Sequence, residues 1–265
     1  MKFRRHALLL AAVFMIGLDF ARISAQNAGQ FQDFTLVLET PQTKYVEFQP
    51  IPLVITLKNA TQKSLVGHSV LEFGASYLHL YIDTPDGPKE VPSSLMTLDM
   101  YGSARVFQPG EQIKETASLN FMLDKTFPNP GTYQLHVRFK SLDYKDTVTS
   151  KPIDLEIVKP DGLDAQALQF IRDHSDTTYF FTGRRAVKDA EQLKVLETFV
   201  AEYGDSSYGD DALFTLAEVQ FALRDYAKAR TNFEKLLKKP DYAFAAEVSD
   251  FLKMIEERTR VVERP

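Results

Sequence analysis

The hydrophobic positions of this chain change their spacing near Pro160. From residue 31 to residue 159, apolar and polar side chains alternate, which is the period of a β-strand with one buried face. The alternation is clearest over residues 133–139, where Tyr, Leu, Val and Phe are separated by Gln, His and Arg. The same pattern recurs at residues 34–38, 53–57, 78–82, 113–123 and 153–157. Because turn signals rich in Pro and Gly separate these short segments, the pattern predicts an antiparallel β-sandwich over residues 31–159.

After Gly162 the apolar positions follow the 3.6-residue period of amphipathic helices. Gly204 and Pro240 interrupt this pattern, and Asp225 stands where a new helix would begin. The predicted helices lie around residues 167–171, at 187–203, at 210–223, from 226 onward, and from about 241 to 258. The change of period predicts two domains, an all-β sandwich over residues 31–159 and an all-α domain over residues 163–258.

One short motif refines the prediction for the first domain. Residues 129–135, Asn-Pro-Gly-Thr-Tyr-Gln-Leu, resemble the tyrosine corner of immunoglobulin-like domains. In that motif a Tyr precedes an inward-facing position by two residues, and here Leu135 would occupy the inward position. The resemblance implies an immunoglobulin-like β-sandwich.

The helical part resembles the tetratricopeptide repeat (TPR), a 34-residue helix–turn–helix unit, as found in bacterial cell-envelope proteins. Three features support the resemblance: the apolar positions of residues 213–217, the small Ala229 and the aromatic Phe233. Three positions depart from it: Gln220 stands where an aromatic residue is usual, Leu236 where Ala is preferred, and Gly204 where Pro is usual. The resemblance implies a TPR-like α-helical domain.

In such repeats the first helix of each pair lines a concave groove. The resemblance places Asp211, Phe214, Glu218 and Phe221 at these groove positions. Two phenylalanines beside a carboxylate would suit an extended peptide, or an amphipathic helix that has a basic group. The alternative is that the chain's own helices or the sandwich cover these rings.

A second candidate contact lies between the first two predicted helices. Tyr179, Phe180, Phe181, Arg184 and Arg185 form an aromatic and basic segment there. Large aromatic side chains in a loop must be buried somewhere, so they either pack within the protein or contact a partner.

The first 25 residues have the pattern of a secretory signal peptide. Three basic residues within positions 2–5 precede an apolar run from Ala7 to Leu18, and Ala25 offers a small residue at the cleavage site. That run is too short to cross a bilayer, which needs about 20 apolar residues. We therefore expect a periplasmic or secreted protein, cleaved after Ala25 and without a membrane span. Cleavage would change the formal charge from −5 to −8.

Composition and motifs exclude several function classes. The absence of Cys excludes disulfides, thiol nucleophiles and cysteine-bound metal centres. The acidic balance argues against nucleic acid as a partner. We find no sequence motif for a cofactor, a metal or a catalytic triad, and His136 is expected on the solvent side of its strand. Asp205, Asp210 and Asp211 are expected to cap a helix and to interact favourably with its N-terminus rather than to bind calcium.

These observations predict an exported, non-catalytic scaffold or adaptor of the bacterial periplasm or cell envelope. It would bind a peptide or helix of another envelope protein through the TPR-like groove. Two alternatives remain open at this point. The sandwich loops would inhibit a protease or bind a polysaccharide, or the protein would be a hydrolase whose catalytic residues meet only in three dimensions.

Overall fold

The computed structural model describes residues 31–71, 76–84, 87–91, 103–119, 127, 129–174 and 190–262. The chain divides into two compact units, and each unit is assembled from separate stretches of sequence. Unit 1 comprises the residues up to Glu39, Val54–Glu115 and Gln134–Ile153. Unit 2 comprises Thr40–Leu53, Thr116–Tyr133 and the residues from Asp154 onward.

Eleven strands lie in the described part of the chain. They are β1 (Phe34–Glu39), β2 (Lys44–Val46), β3 (Ile51–Asn59), β4 (Leu65–His68), β5 (Leu78–Thr84), β6 (Gly87–Glu90), β7 (Ala104–Phe107), β8 (Gln112–Leu119), β9 (Gly131–Lys140), β10 (Thr147–Thr149) and β11 (Ile153–Val158). The strands predicted from alternation are confirmed, the one at residues 113–123 as far as its described residues extend. The short strands β2, β4, β6, β7 and β10 are additional, and the pattern did not predict them.

Five α-helices follow, after a short 3-10 turn at Phe31–Asp33. They are α1 (Gly162–Arg172), α2 (Ala190–Tyr203), α3 (Gly209–Ala222), α4 (Tyr226–Leu237) and α5 (Ala245–Val262). All five helices predicted from the 3.6-residue period are confirmed. At the start of α4, the Asp225 side chain accepts a hydrogen bond from the backbone N–H of Lys228, which is the usual N-cap contact. None of the helices in these ranges is both long and apolar enough to cross a membrane.

Unit 1 is built from antiparallel strand pairs. Strand β1 pairs with β3 so that Leu36 lies opposite Leu57, and β9 pairs with both β5 and β10. The alternating side chains of these strands face a core in which the rings of Phe34 and Phe107 meet edge to face at 5.2 Å. Since a fully buried Phe or Leu side chain contributes roughly 1.5–3 kcal/mol, this inward face stabilises the unit.

Unit 2 contains both strands and helices. Strands β2 and β11 form a parallel pair, with Tyr45 opposite Ile157. Val46 and Phe48, at the end of β2, pack against a hydrophobic cluster from α1, α2 and the start of α3. A second cluster joins α3, α4 and α5 around Phe233 and Phe251, whose rings stack with their centroids 4.9 Å apart.

The predicted fold class is therefore wrong. The protein is a mixed α/β protein and not an immunoglobulin-like all-β domain followed by a TPR-like all-α domain. The change of period at Pro160 locates correctly where helices begin, but it does not show which elements share a core. The side chains of Val46 and Phe48 pack against the helices. A periodic pattern in the sequence does not show which elements make such tertiary contacts.

The motif at residues 129–135 does form the local contact that its sequence suggests. The Tyr133 hydroxyl donates a hydrogen bond to the carbonyl oxygen of Asn129 at 2.5 Å. This bond resembles that of a tyrosine corner. It is a feature of one turn, and it does not establish the fold around it.

Candidate functional site

The end of α3 that was predicted to line a groove is covered by the last helix. Phe221 is 2% exposed, and its ring meets that of Phe251 edge to face at 5.2 Å. The guanidinium carbon of Arg258 lies 4.7 Å from the centre of the Phe221 ring. Both of these partners belong to α5, so Phe221 is a core residue of unit 2. For this residue the structure corrects the groove interpretation in favour of its alternative, cover by the chain's own helices.

The other predicted groove residues of α3 remain partly accessible. Phe214 is half-buried, with its ring 5.9 Å from that of Phe233 and 6.1 Å from that of Phe244. Asp211 and Glu218 are also half-buried. Because one side of Phe214 belongs to the core, it is less available to a partner than the sequence suggested.

The second predicted contact segment, with Tyr179, Phe180, Phe181, Arg184 and Arg185, lies outside the described residues. Its assignment as a partner contact therefore stays a prediction.

A cavity of about 270 Å³ opens beside Asp211, at the N-terminal end of α3. Three parts of unit 2 form its walls: the stretch around β2, the first turn of α3, and the connection between α4 and α5. Four prolines and three aromatic residues are among its lining residues. We call it the Asp211 cavity, and its principal residues are Tyr45, Asp210, Asp211, Lys239, Tyr242 and Phe244.

The turn before α3 fixes the position of the two aspartates. A Cβ atom added to Gly209 would lie 2.1 Å from the carbonyl oxygen of Gly204, so the close approach at this turn requires glycine. The Asp164 carboxylate of α1 accepts hydrogen bonds from the backbone N–H and the hydroxyl of Ser207, at 2.6 and 2.7 Å. These contacts hold Asp210 and Asp211 at the first turn of α3.

The β2 wall of the cavity is also held by hydrogen bonds. Tyr45 is 1% exposed, and its hydroxyl is hydrogen-bonded to that of Thr40. The Tyr208 hydroxyl, from the turn before α3, donates to the carbonyl oxygen of Glu47 at 2.5 Å. Burial raises the pKa of Tyr208, so this donor keeps its proton at neutral pH. The cavity therefore has ordered walls on the sides formed by β2 and α3.

The carboxyl group of Asp211 has an unusual acidity. Burial raises its pKa to about 7, and the negative charge of Asp210 adds to the increase, while its own backbone N–H opposes it. Asp210 itself forms an ion pair with Lys239. Lys239 is the single basic residue among the described lining residues, which include three aspartates. The cavity is therefore rich in carboxyl groups, and its basic lining residue, Lys239, is already paired with Asp210.

The hydroxyl of Tyr242 lies in the same electrostatic environment. Burial raises the pKa of Tyr242, and the charges of Asp211 and Asp210 raise it further. The phenol consequently stays protonated at neutral pH and can donate a hydrogen bond. A partly buried carboxyl, a phenolic donor and apolar walls suit the binding of a small polar group that arrives with an apolar stem.

The structure confirms only part of the role predicted for Asp205, Asp210 and Asp211, because Asp210 and Asp211 lie at a helix N-terminus but do not cap it. The residue that precedes α3 is Tyr208, which makes no side-chain cap, and Asp210 and Asp211 lie within the first helical turn. Negative charge in a first turn interacts favourably with the helix dipole. At Asp211 the free-energy cost of desolvating the carboxylate outweighs this interaction, because the net effect is a raised pKa. Over the described ranges, no three His, Asp or Glu side chains are placed to hold a metal ion.

The prediction that His136 faces solvent is also wrong. His136 is 6% exposed, stacks on the Tyr81 ring at 5.3 Å, and lies 3.3 Å from the Asp83 carboxylate. The neighbouring strand β5 provides both partners, so pairing within unit 1 buries a histidine that alternation places outside. It does not line the Asp211 cavity.

Unit 1 contains a larger groove of about 620 Å³. It lies between β1 and the stretch from β10 to the start of β11, with Phe34, Leu38, Val148 and Lys151 among its lining residues. Its lining combines apolar side chains with threonines, and Lys151 is the single charged residue among the described lining residues.

Sequence reasoning identified Asp211 but missed the residues that complete its surroundings. Tyr45 and Lys239 are separated from Asp211 by long stretches of chain, and no periodic pattern connects them. The available signal was indirect: Tyr242 and Phe244 follow a helix-ending proline and had to pack somewhere.

Comparison with known proteins gives no family assignment. No family model matches the chain, and no curated protein matches it. Several solved structures match part of it at low similarity. A beta-glucosidase from Listeria innocua has 14% identity, a TM-score of 0.29 and a match to 48% of this chain. The sporulation control protein Spo0M from Bacillus subtilis has 12% identity, a TM-score of 0.30 and a match to 53%.

A third similar structure is the alkylpurine DNA glycosylase AlkC from Pseudomonas fluorescens, with 13% identity, a TM-score of 0.29 and a match to 47% of this chain. The matched regions span 16% of the glucosidase, 55% of Spo0M and 30% of AlkC. Similarity at this level supports no conclusion about activity.

Proposed function

We propose that this protein is an exported, non-catalytic adaptor of the bacterial cell envelope that binds an extended segment of another protein in the Asp211 cavity. The observation that supports the proposal is the cavity itself, with prolines and aromatic rings beside a carboxyl group and a phenol. Pockets that bind peptides combine apolar walls with a few polar groups that fix orientation. Export is inferred from the signal-peptide pattern of residues 1–25.

The size and shape of the cavity favour a side chain or two of a chain segment over a whole helix. Its volume of about 270 Å³ lies just below the range of roughly 300–1,000 Å³ typical of small-molecule pockets. The groove predicted along α3 does not extend to Phe221, because α5 covers this residue. An extended segment would place one or two side chains in the cavity and leave the rest of its backbone outside.

Site-specific photo-crosslinking tests this proposal in envelope fractions. A photoreactive phenylalanine analogue replaces Gln42, which is exposed at the cavity, and in a control protein it replaces the exposed Lys253 of α5. We expect Gln42 to crosslink to one segment of one envelope protein, identified by mass spectrometry of the joined peptides. Equal products from both positions, or none from Gln42, would contradict the proposal. The same preparation shows whether the mature chain starts at Gln26.

A further inference from the structure

The charges around the Asp211 cavity are unbalanced. Asp210, Asp211 and Asp241 line it, and Lys239 is the lining residue of opposite charge. Lys239 forms its ion pair with Asp210. The partly buried carboxyl of Asp211 lies next to this pair, and its own negative charge is not balanced by a basic lining residue.

We propose that the Asp211 cavity is a receptor for the lysine or arginine side chain of a bound protein segment, with Asp211 as the carboxylate that receives the cation. This inference rests on the peptide-binding function proposed above and specifies the chemistry of its ligand. The prolines and aromatic rings of the walls would contact the aliphatic stem of the side chain. Tyr242 is a half-buried lining residue whose ring can contact a guanidinium or an ammonium group.

The neighbouring groups favour a cation over an anion. Tyr242 is influenced by the charges of Asp211, Asp210, Glu247 and Glu218, all of which are negative. Tyr45, on the β2 wall, is influenced by Asp211. Bringing an anionic or neutral side chain beside these carboxylates gains no ion pair, whereas a cation removes the repulsion between Asp210 and Asp211.

The same arrangement makes binding depend on pH. Because the pKa of Asp211 is about 7 in the free protein, the carboxyl is mostly protonated at pH 6 and mostly ionised at pH 8. A bound cation stabilises the ionised form, so the affinity rises with pH until Asp211 is fully ionised. One proton lost on binding predicts about tenfold tighter binding at pH 8 than at pH 6. The other ionisable groups that face the site are Asp210, Glu218, Lys239, Asp241, Tyr45, Tyr242 and Glu247.

Selection from a random dodecapeptide library displayed on phage tests the inference with the full mature chain as bait. The selection is run at pH 8 with the wild type, with Asp211→Asn, and with Asp250→Asn. Asp250 is an exposed carboxylate of α5 and does not line the cavity, so it is a matched control. We expect a Lys or Arg at a fixed position of the peptides that the wild type and Asp250→Asn select. The Asp211→Asn protein should lose this preference.

The binding constant of one selected peptide without His then gives the quantitative test. We expect about tenfold tighter binding to the wild type at pH 8 than at pH 6, and at least tenfold weaker binding when norleucine replaces the basic residue. The Lys239→Met variant removes the positive charge paired with Asp210, which makes the cavity more negative, so it should bind the basic peptide more tightly. This variant and the pH series test the inference even if Asp211→Asn fails to fold.

The possible outcomes separate the two proposals. A selection that yields no consensus peptide overturns the peptide-binding function and the cation inference together. A consensus without a basic residue, or one that the Asp211→Asn protein retains, overturns the cation inference and leaves peptide binding in place. Affinity for the basic peptide that is equal at pH 6 and pH 8 would show that Asp211 is not the receiving group.

Discussion

Asp211 lies half-buried in the first turn of α3, next to Asp210. Its position in the first turn of α3 follows from the sequence, and a carboxylate there is normally favourable because of the helix dipole. Here the cost of burying the carboxylate, together with the charge of Asp210, outweighs the helix dipole and raises the pKa of Asp211 to about 7. Sequence reasoning assigned it to capping because burial from β2 and the α4–α5 connection cannot be seen in local sequence.

The raised pKa of Asp211 predicts a pH-dependent effect on stability. The folded protein holds this proton more tightly than the unfolded chain does, so ionisation of Asp211 costs stability as the pH rises from about 4 to about 7. Asp211→Asn removes that cost. We expect the variant to be more stable than the wild type at pH 8, by about 1–3 kcal/mol in the free energy of unfolding, and this advantage to fall to about a third of that value at pH 5.

Urea denaturation at both pH values measures this difference. Asp250→Asn is the control, because that exposed carboxylate should change the free energy of unfolding little at either pH. Finding Asp211→Asn less stable than the wild type at pH 8 would mean that the carboxylate makes favourable contacts that outweigh its desolvation.

At the scale of elements, the sequence predicts well where helices and strands occur. It predicts poorly which of these elements pack against one another. The period of the apolar positions located every helix and the longer strands, because each of them has one buried face. It missed β2, which has three residues, because so short a segment contains no measurable alternation. The predicted groove on α3 failed at Phe221 for the related reason that its apolar face does not reveal which helix covers it.

Gln220 is a departure from the TPR pattern that the packing of α3 and α4 explains. Its side-chain oxygen accepts a hydrogen bond from the Asn232 amide at 2.9 Å, and both side chains are buried. Asn232→Ala leaves the Gln220 carbonyl without this donor, and Gln220→Leu leaves the Asn232 amide without this acceptor. Each change should cost about 1–3 kcal/mol, since an unsatisfied buried polar group is expensive.

The double variant tests whether these two costs have one origin. With both partners removed, no polar group of this pair is left unsatisfied, so the loss should be smaller than the sum by about 1–2 kcal/mol. The four proteins of the cycle can be compared by urea denaturation at one pH. Strictly additive losses would show that the two side chains stabilise the helix pair independently.

At the scale of the whole molecule, the order of elements along the chain does not match their grouping in space. Unit 2 takes Thr40–Leu53 from the N-terminal half together with the residues from Asp154 onward. The sequence correctly shows that strands come first and helices second. It does not show that the segment around β2 belongs to unit 2 with the helices. The reason is that β2 is short and its partner β11 is more than 100 residues away in the sequence.

This grouping predicts that a change beside β2 destabilises helices rather than its sequence neighbours. Phe48 packs against the cluster formed by α1, α2 and the start of α3, with the guanidinium carbon of Arg172 lying 5.0 Å from its ring centre. Phe48→Ala removes this packing and keeps a non-glycine residue at a position whose φ is +67°. We expect a loss of about 1–3 kcal/mol, reduced from the usual cost of a core Phe because the ring is only partly buried.

Hydrogen exchange followed by mass spectrometry on the intact chain reads out this prediction element by element. Peptides from α1 and α2 should exchange about tenfold faster or more in Phe48→Ala, since about 1.4 kcal/mol of lost stability corresponds to a factor of ten. Peptides from β5 and β9 of unit 1 should change little. The control is Thr43→Ala, which alters an exposed residue of the same stretch. Faster exchange in β5 and β9 with unchanged α1 and α2 would place residue 48 with the strands of unit 1, as the sequence pattern originally suggested.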